Sequence, residues 1–155
     1  MKRKNLARKA TPEMVAAANP PSGFEPILSN SAFGWENGPI FERRSGRIVS
    51  RGFRVSERHI NAGGMCHGGM MMTFADILLA TAVKNVADPP FVTIRLTTDF
   101  IDAAFEGEWV EGTAACSGVE DGIVPVSCTM MAEGRLVASA SGLFKLLGSR
   151  KKPTA

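Results

Sequence analysis

Residues 61 to 86 read NAGGMCHGGMMMTFADILLATAVKNV, a glycine-rich turn carrying Asn61 and His67 that runs into an apolar helical pattern with one carboxylate, Asp76, in its middle. The paired glycines at 63–64 and 68–69 allow close backbone approach, so this loop can press its amide N–H groups against a ligand. From Gly69 onward the spacing predicts a helix: residues 70 to 85 contain no Gly or Pro, and apolar side chains recur at Met72, Ala75, Leu79 and Val83. The free N–H groups of its first turn lie at the positive end of the helix dipole, where a negatively charged oxygen is favoured. Donors of this kind stabilise the oxyanion that develops in acyl transfer.

Asp76 is the odd residue. Between Met70 and Val83 the other polar side chains are Thr73 and Thr81, so whichever face of the helix packs, the carboxylate borders hydrophobic surface. An unpaired carboxylate in such surroundings is costly and needs either a partner or a function. The plainer alternative is a side chain that caps nearby backbone or meets solvent at the helix flank. Gly68 and Asp76 are eight residues apart, roughly 12 Å of helical rise. One bound carbonyl cannot touch both within a single chain, so cooperation between them implies a site shared by two subunits.

At these residues the sequence resembles the hotdog-fold acyl-CoA thioesterases of the phenylacetate-pathway and 4-hydroxybenzoyl-CoA type. That family's pattern is an Asn, a His-Gly-Gly six residues on, and an acidic residue nine residues after the His. Asn61, His67 with Gly68 and Gly69, and Asp76 fall on those positions. The likeness continues through VTIRLTTDF at 92 to 100 and covers roughly residues 40 to 147. It implies an α+β hotdog fold, a curved antiparallel sheet of about six strands wrapped around one long helix. It also implies thioester hydrolysis, with Asp76 as general base or nucleophile and the Gly68 N–H polarising the carbonyl. Asn61 would donate a side-chain hydrogen bond near the thioester. His67 would orient the loop or contact the leaving sulfur, and Thr93 would help to position water. Gly69, Met70, Met72 and Thr73 are the positions implied for binding the substrate. The departure is at 102 to 107, which reads DAAFEG where the family often carries a proline.

The rest of the chain agrees with one domain. A length of 155 residues suffices for a single substantial core. The expected division is a basic tail, short helix and loop over 1–39, the hotdog domain over 40–147, and a basic tail over 148–155. Thr11 as N-cap and Pro12 at the first position predict a short helix through 12 to 19, ended by Pro20 and Pro21. Phe24, Phe33 and Trp35 follow in a loop-rich stretch and are expected to pack over the core, with roofing of an acyl pocket as the alternative. Strands are expected at IFERR and RIVSRGFRV around Ser45 and Gly46, with Ile48, Phe53 and Val55 facing inward. Asn85 to Pro90 closes the central helix, with Pro89 and Pro90 forbidding its continuation. Further strands at 91–101, 108–118, 122–133 and 135–147 are separated by turns at Gly107, Gly122 and Gly134.

Charge and cysteine usage narrow the function classes. The net charge is +3 and the pI near 9.0, and much of the excess sits at Lys2, Arg3, Lys4, Arg8 and Lys9, then at Arg150, Lys151 and Lys152. Solvated tails are the expectation, with the C-terminal cations also able to meet coenzyme A phosphates. Nucleic acid is not an expected partner. Three cysteines, at 66, 116 and 128, make neither a disulfide framework nor a metal spacing, which favours a cytoplasmic protein. No apolar run approaches a membrane span. Cys66 beside His67 as a thiol nucleophile, and His59, His67 and Cys66 as metal ligands, are weaker readings. Asp99 and Asp102 read as solvated carboxylates near a strand end.

A thioester is already activated, and its thiolate leaves readily, so a carboxylate and a donor pair suffice without a metal or redox cofactor. The expectation is a homodimer or homotetramer with active sites at the dimer interface, hydrolysing an acyl-CoA. A non-catalytic acyl-CoA-binding hotdog protein and a hotdog dehydratase or hydratase are the alternatives.

Overall fold

The computed structural model describes residues 7–88 and 90–148. Helix α1, Pro12–Ala18, begins where the Thr11 hydroxyl accepts the Met14 N–H, and it ends at Asn19 in the left-handed region with φ 42°. A two-residue strand β1, Glu25–Pro26, and a short helix α2, Ala32–Glu36, precede the hairpin of β2, Phe41–Ser45, and β3, Ile48–Arg54. A single 3-10 turn, Glu57–His59, leads through the glycine loop into α3, Gly68–Lys84. Strands β4, Phe91–Phe100, β5, Trp109–Cys116, β6, Ile123–Ala132, and β7, Arg135–Leu146, complete the chain.

All strands join one antiparallel sheet in the order β1-β2-β3-β5-β6-β7-β4. Helix α3 carries the chain from β3 to β4 at the far edge, so it lies across one face of the sheet and touches β3 to β7. The expected long helix and six strands are present, and β1 is a seventh, minimal strand.

The core is the seam between α3 and the sheet. Phe74, Leu78, Leu79 and Val83 on the helix meet Phe53, Val110, Met130 and Phe144 on the strands, all essentially inaccessible. Two strand glycines let the helix approach. A Cβ at Gly112 would lie 2.5 Å from the Thr129 carbonyl oxygen and 2.7 Å from Leu78 Cδ1, and one at Gly142 would lie 3.0 Å from Leu79 Cδ1. Gly112→Ala is therefore expected to cost about 1–3 kcal/mol through overpacking, read as a lowered urea midpoint; an unchanged midpoint would show that the seam yields.

A second, smaller cluster lies on the other face. Ala18, Phe24, Phe41 and Trp109 pack there, with the Phe24 and Trp109 rings 5.1 Å apart edge to face. Arg54 ties α1 down by donating to the carbonyls of Ala18 and Asn19.

The structure corrects several expectations. Helix α3 starts at Gly68, one residue earlier than the spacing indicates, because His67 supplies the cap. Met72 does not belong to the packed stripe; Met71, Phe74, Ala75 and Leu78 do. In β3 the inward position is Val49 and not Ile48, which is 61% exposed, since Val49 shares the parity of Phe53 and Val55. The end of α3, by contrast, is as expected, with Asn85 as its C-cap; Pro89 lies outside the described residues. Arg8 is not a solvated tail residue: its guanidinium stacks 4.7 Å from the Trp35 ring centroid. Lys2, Arg3, Lys4, Arg150, Lys151 and Lys152 lie outside the described residues. Among the described residues no helix is long and apolar enough to cross a membrane.

Candidate active site

The glycine loop is held by its own backbone and by Asn61. The Asn61 Oδ1 accepts the N–H groups of Gly63 at 2.8 Å and Met65 at 3.2 Å, while its backbone N–H donates to the Met65 carbonyl at 2.8 Å. Gly64 turns the chain at φ +77°, a conformation that suits glycine. His59 lies beneath: its carbonyl accepts the His67 N–H at 2.7 Å, and its ring packs edge to face on Phe53. The His59 Nδ1 accepts the Ser56 N–H at 3.1 Å. Desolvation first, and Arg58 second, push the His59 pKa down, so this buried imidazole is neutral.

His67 is exposed and acts as the N-cap of α3, its Nδ1 accepting the Gly69 N–H at 2.8 Å. That bond uses one of the first-turn donors and leaves the Gly68 N–H without a partner among the described residues. The Phe100 ring lies over Gly68, with Cζ 3.2 Å from where a Cβ would stand. Phe105 and Met65 form a bridge beside it and are also exposed.

Asp76 sits two turns further along α3, half-buried. Its Oδ1 accepts the Thr93 hydroxyl at 2.7 Å. Thr93 reaches it because β4 carries an irregularity between Thr93 and Arg95: Thr93 pairs with Phe144 and Arg95 with Leu143, so Ile94 is an extra residue. Before the irregularity Phe91 and Thr93 face the helix side; after it Leu96 and Thr98 do, opposite Gly142 and Ala140. Uninterrupted alternation would have turned Thr93 to the other face with Thr97 and Asp99.

A cavity of about 540 Å³ runs beside this pair. One wall is a single face of α3, including Gly69, Met72, Thr73, Asp76, Ala80 and Lys84, spaced three and four residues apart. The opposite wall comes from residues 27–40, where Phe33 and Trp35 line it. Trp35 is fixed by donating its indole N–H to the Ser29 carbonyl at 3.1 Å. Arg51 of β3 and Leu96 of β4 close the remainder.

The structure thus brings together Asp76, Thr93, Thr73, Met72 and Gly69, and keeps Asn61, His67 and Gly68 at the far end of the helix. Met70 is placed elsewhere, in the packed core, because it lies on the helix face turned to the sheet. Phe24 packs as expected, whereas Phe33 and Trp35 take the alternative role and line the cavity. Arg51, Lys84 and Thr81 are lining residues that carried no sequence signal, since one Arg in a strand resembles any surface cation.

The competing chemistries are weakened by the geometry. Burial pushes the Cys66 thiol up to about 11, so it carries no thiolate at neutral pH. Asp102 is not simply solvated: Arg135 donates to it at 2.8 Å, and the Ala103 N–H ahead of that Arg holds its carboxyl below the usual range. Among the described residues no three His, Cys, Asp or Glu side chains are grouped to hold a metal ion.

Comparison with known proteins places this geometry in a family. Residues 63–139 match the family model of the thioesterase superfamily. A Pseudomonas aeruginosa protein named "Putative esterase PA0474" is 36% identical over 131 residues, covering 83% of this chain and 98% of that protein. The structure of a phenylacetic acid degradation protein from Thermus thermophilus superposes with a TM-score of 0.68 at 22% identity, over 76% of this chain and 100% of the other. A Streptococcus mutans protein bound to acetyl-CoA superposes with a TM-score of 0.59 at 22% identity, over 67% and 84% of the two chains. These two superpositions establish the hotdog fold, and the relative that matches along nearly its whole length establishes kinship. The chain belongs to the thioesterase superfamily and is a thioester hydrolase.

Proposed function

We propose that the substrate is an acyl-CoA, cleaved to the free acid and coenzyme A, with Asp76 as the catalytic carboxylate. The observation that carries this reading is the Thr93 to Asp76 hydrogen bond on the wall of the cavity, which fixes one carboxylate oxygen and leaves the other unpartnered among the described residues. As general base, Asp76 takes a proton from water while the water oxygen bonds to the thioester carbon; the C–S bond then breaks and the thiolate leaves, to be protonated in turn. As nucleophile it forms a mixed anhydride that water opens. Both routes need an oxyanion donor, and the unpaired Gly68 N–H at the start of α3 is the group for it. The Asn61 side-chain N–H groups point to a second donor, their oxygen being already engaged by the loop. His67 acts by shaping the turn as the cap.

Gly68 and Asp76 are separated by two turns of unbroken helix, so a homodimer in which each turn faces the partner's Asp76 completes two sites. The ten-residue edge strand β4 supports such a pairing. Among the described residues its outer edge is unpaired, and Val92, Ile94 and Phe100 are exposed along the strand. Acetyl-CoA in the Streptococcus mutans relative supports coenzyme A as the carrier.

Free-thiol release from short, long and aromatic acyl-CoAs tests this reading. Wild-type protein is expected to cleave at least one of them, and Thr93→Val to lower kcat about tenfold, the worth of one oriented hydrogen bond. Binding of acyl-CoA without thiol release would replace the enzyme by an acyl-CoA carrier.

A further inference from the structure

The cavity beside Asp76 is not uniformly apolar, and its polarity changes along the helix. Near Asp76 the helix contributes Met72 and Ile77, and Phe33 and Trp35 of the facing segment add apolar wall. Beyond Asp76, toward the C-terminal end of α3, the helix adds Thr81 and Lys84, and Arg51 enters the lining from β3, level with Gly112 and so with Leu78. Arg51 is an inward-facing residue of β3, on the parity of Val49 and Phe53 and level with Gly112, whose absent Cβ makes room for Leu78. Its side chain is only 13% exposed. One guanidinium nitrogen, Nη2, pairs with Glu42 at 2.8 Å, and the buried Nε has no hydrogen-bond partner. A buried donor without an acceptor is costly, and here it lies on a side chain that lines the cavity.

The charge count at this end is unbalanced. Among the described residues Glu42 is the one carboxylate in contact with Arg51, and it is shared with Arg44 at 2.7 Å. Arg44 does not line the cavity; of the cations that do, Arg51 is paired with Glu42 and Lys84 has no carboxylate partner among the described residues, which leaves one uncompensated positive charge. Asp76, the other carboxylate of the cavity, lies two helical turns from Lys84. A ligand that bonds to the hydrolytic end by its thioester therefore meets an uncompensated positive site at its tail.

We propose that the acyl group cleaved here ends in a carboxylate, so that the substrate is the mono-thioester of a dicarboxylic acid and its tail is received by Arg51 and Lys84. This rests on Asp76 marking the hydrolytic end. Thr81 and Lys84 lie five and eight residues beyond Asp76, a rise of roughly 7 to 12 Å. An extended chain advances about 3.3–3.6 Å per three bonds, so the tail is roughly six to ten bonds long. A planar guanidinium suits a carboxylate better than an ammonium does, and it anchors the tail through charge-assisted bonds while Phe33 and Trp35 cover the methylenes.

Suberyl-CoA and octanoyl-CoA share chain length and differ in the terminal carboxylate, so their kcat/KM ratio reads the tail site directly. Wild-type protein is expected to favour suberyl-CoA by about 10- to 100-fold, the worth of a charge-assisted hydrogen bond. Arg51→Met is expected to bring the ratio toward one whatever it does to the absolute rates, Lys84→Met to lower it less, and Arg51→Lys to restore part of it. A wild-type ratio near one, or a ratio that Arg51→Met leaves unchanged, overturns the proposal. Binding of suberate and octanoate by calorimetry separates this from failure of the hydrolytic reading. Arg51-dependent preference for suberate without cleavage of either thioester would sustain the tail site and remove the catalytic role of Asp76; equal binding of the two acids would remove the tail site.

Discussion

Asp76→Asn is expected to lower kcat/KM for thioester hydrolysis by about 10²- to 10⁴-fold, the range lost when a positioned general base is removed. The substitution is nearly isosteric. The asparagine carbonyl still accepts the Thr93 hydroxyl, which now lies 2.7 Å from Oδ1, so the local geometry survives while the proton acceptor is gone. Thiol release under saturating and limiting substrate separates the effect into kcat and KM, and the loss is expected in kcat. An Asn variant within a few-fold of wild type would move the catalytic role to another residue. Because the side chain is half-buried and not part of the packed seam, the melting temperature is expected to shift little. That keeps an activity loss from being mistaken for unfolding.

Phe74→Ala is the counterpart on the opposite side of the same helix and is expected to cost about 3–5 kcal/mol of stability, the usual range for emptying a buried phenylalanine site. Phe74 is fully buried, and its ring stands 4.8 Å from that of Phe53, edge to face. Phe53 in turn packs against His59, whose carbonyl holds the His67 N–H. The cavity therefore opens beneath the glycine turn. A loss of this size is a large fraction of the 5–15 kcal/mol that holds a typical domain together. Urea titration at constant m-value gives the number, and a loss below about 1 kcal/mol would mean that the seam collapses to fill the space.

Much of this fold is legible because its signals are local. Thr11 and Pro12 start α1, the run without Gly or Pro from Met70 marks α3, and the turn glycines at 107, 122 and 134 all take positive φ between long strands. The features that were not legible depend on tertiary contacts. Nothing in the spelling of VTIRLTTDF reveals that Ile94 is supernumerary, so strict alternation puts Thr93 on the wrong face. Phe33 and Trp35 have the composition of core residues, and only the crossing of residues 27–40 over the exposed face of α3 turns them toward a cavity. Ile48 and Val49 are adjacent and equally apolar, and here the alternation with Phe53 and Val55 does mark Val49 as the inward one. Of the proposed site, Asp76, Gly68 and Asn61 stand out as residue types out of place, whereas Arg51 becomes visible only through its burial and its orphaned nitrogen.

The extra residue in β4 has a bearing on how such a protein can diverge. A strand that keeps one phase throughout couples every inward position, so a change of phase for chemistry would also turn its packing side chains outward. Here Ile94 acts as a joint between two independently tunable halves. The half from Leu96 onward is tied to Gly142 and Ala140 and answers to the core, while the half before it holds Thr93 to Asp76, the proposed catalytic carboxylate. Substitutions around Thr93 can therefore be made in the first half without disturbing the register of the second, so a single extra residue lets the two halves of one edge strand be changed separately.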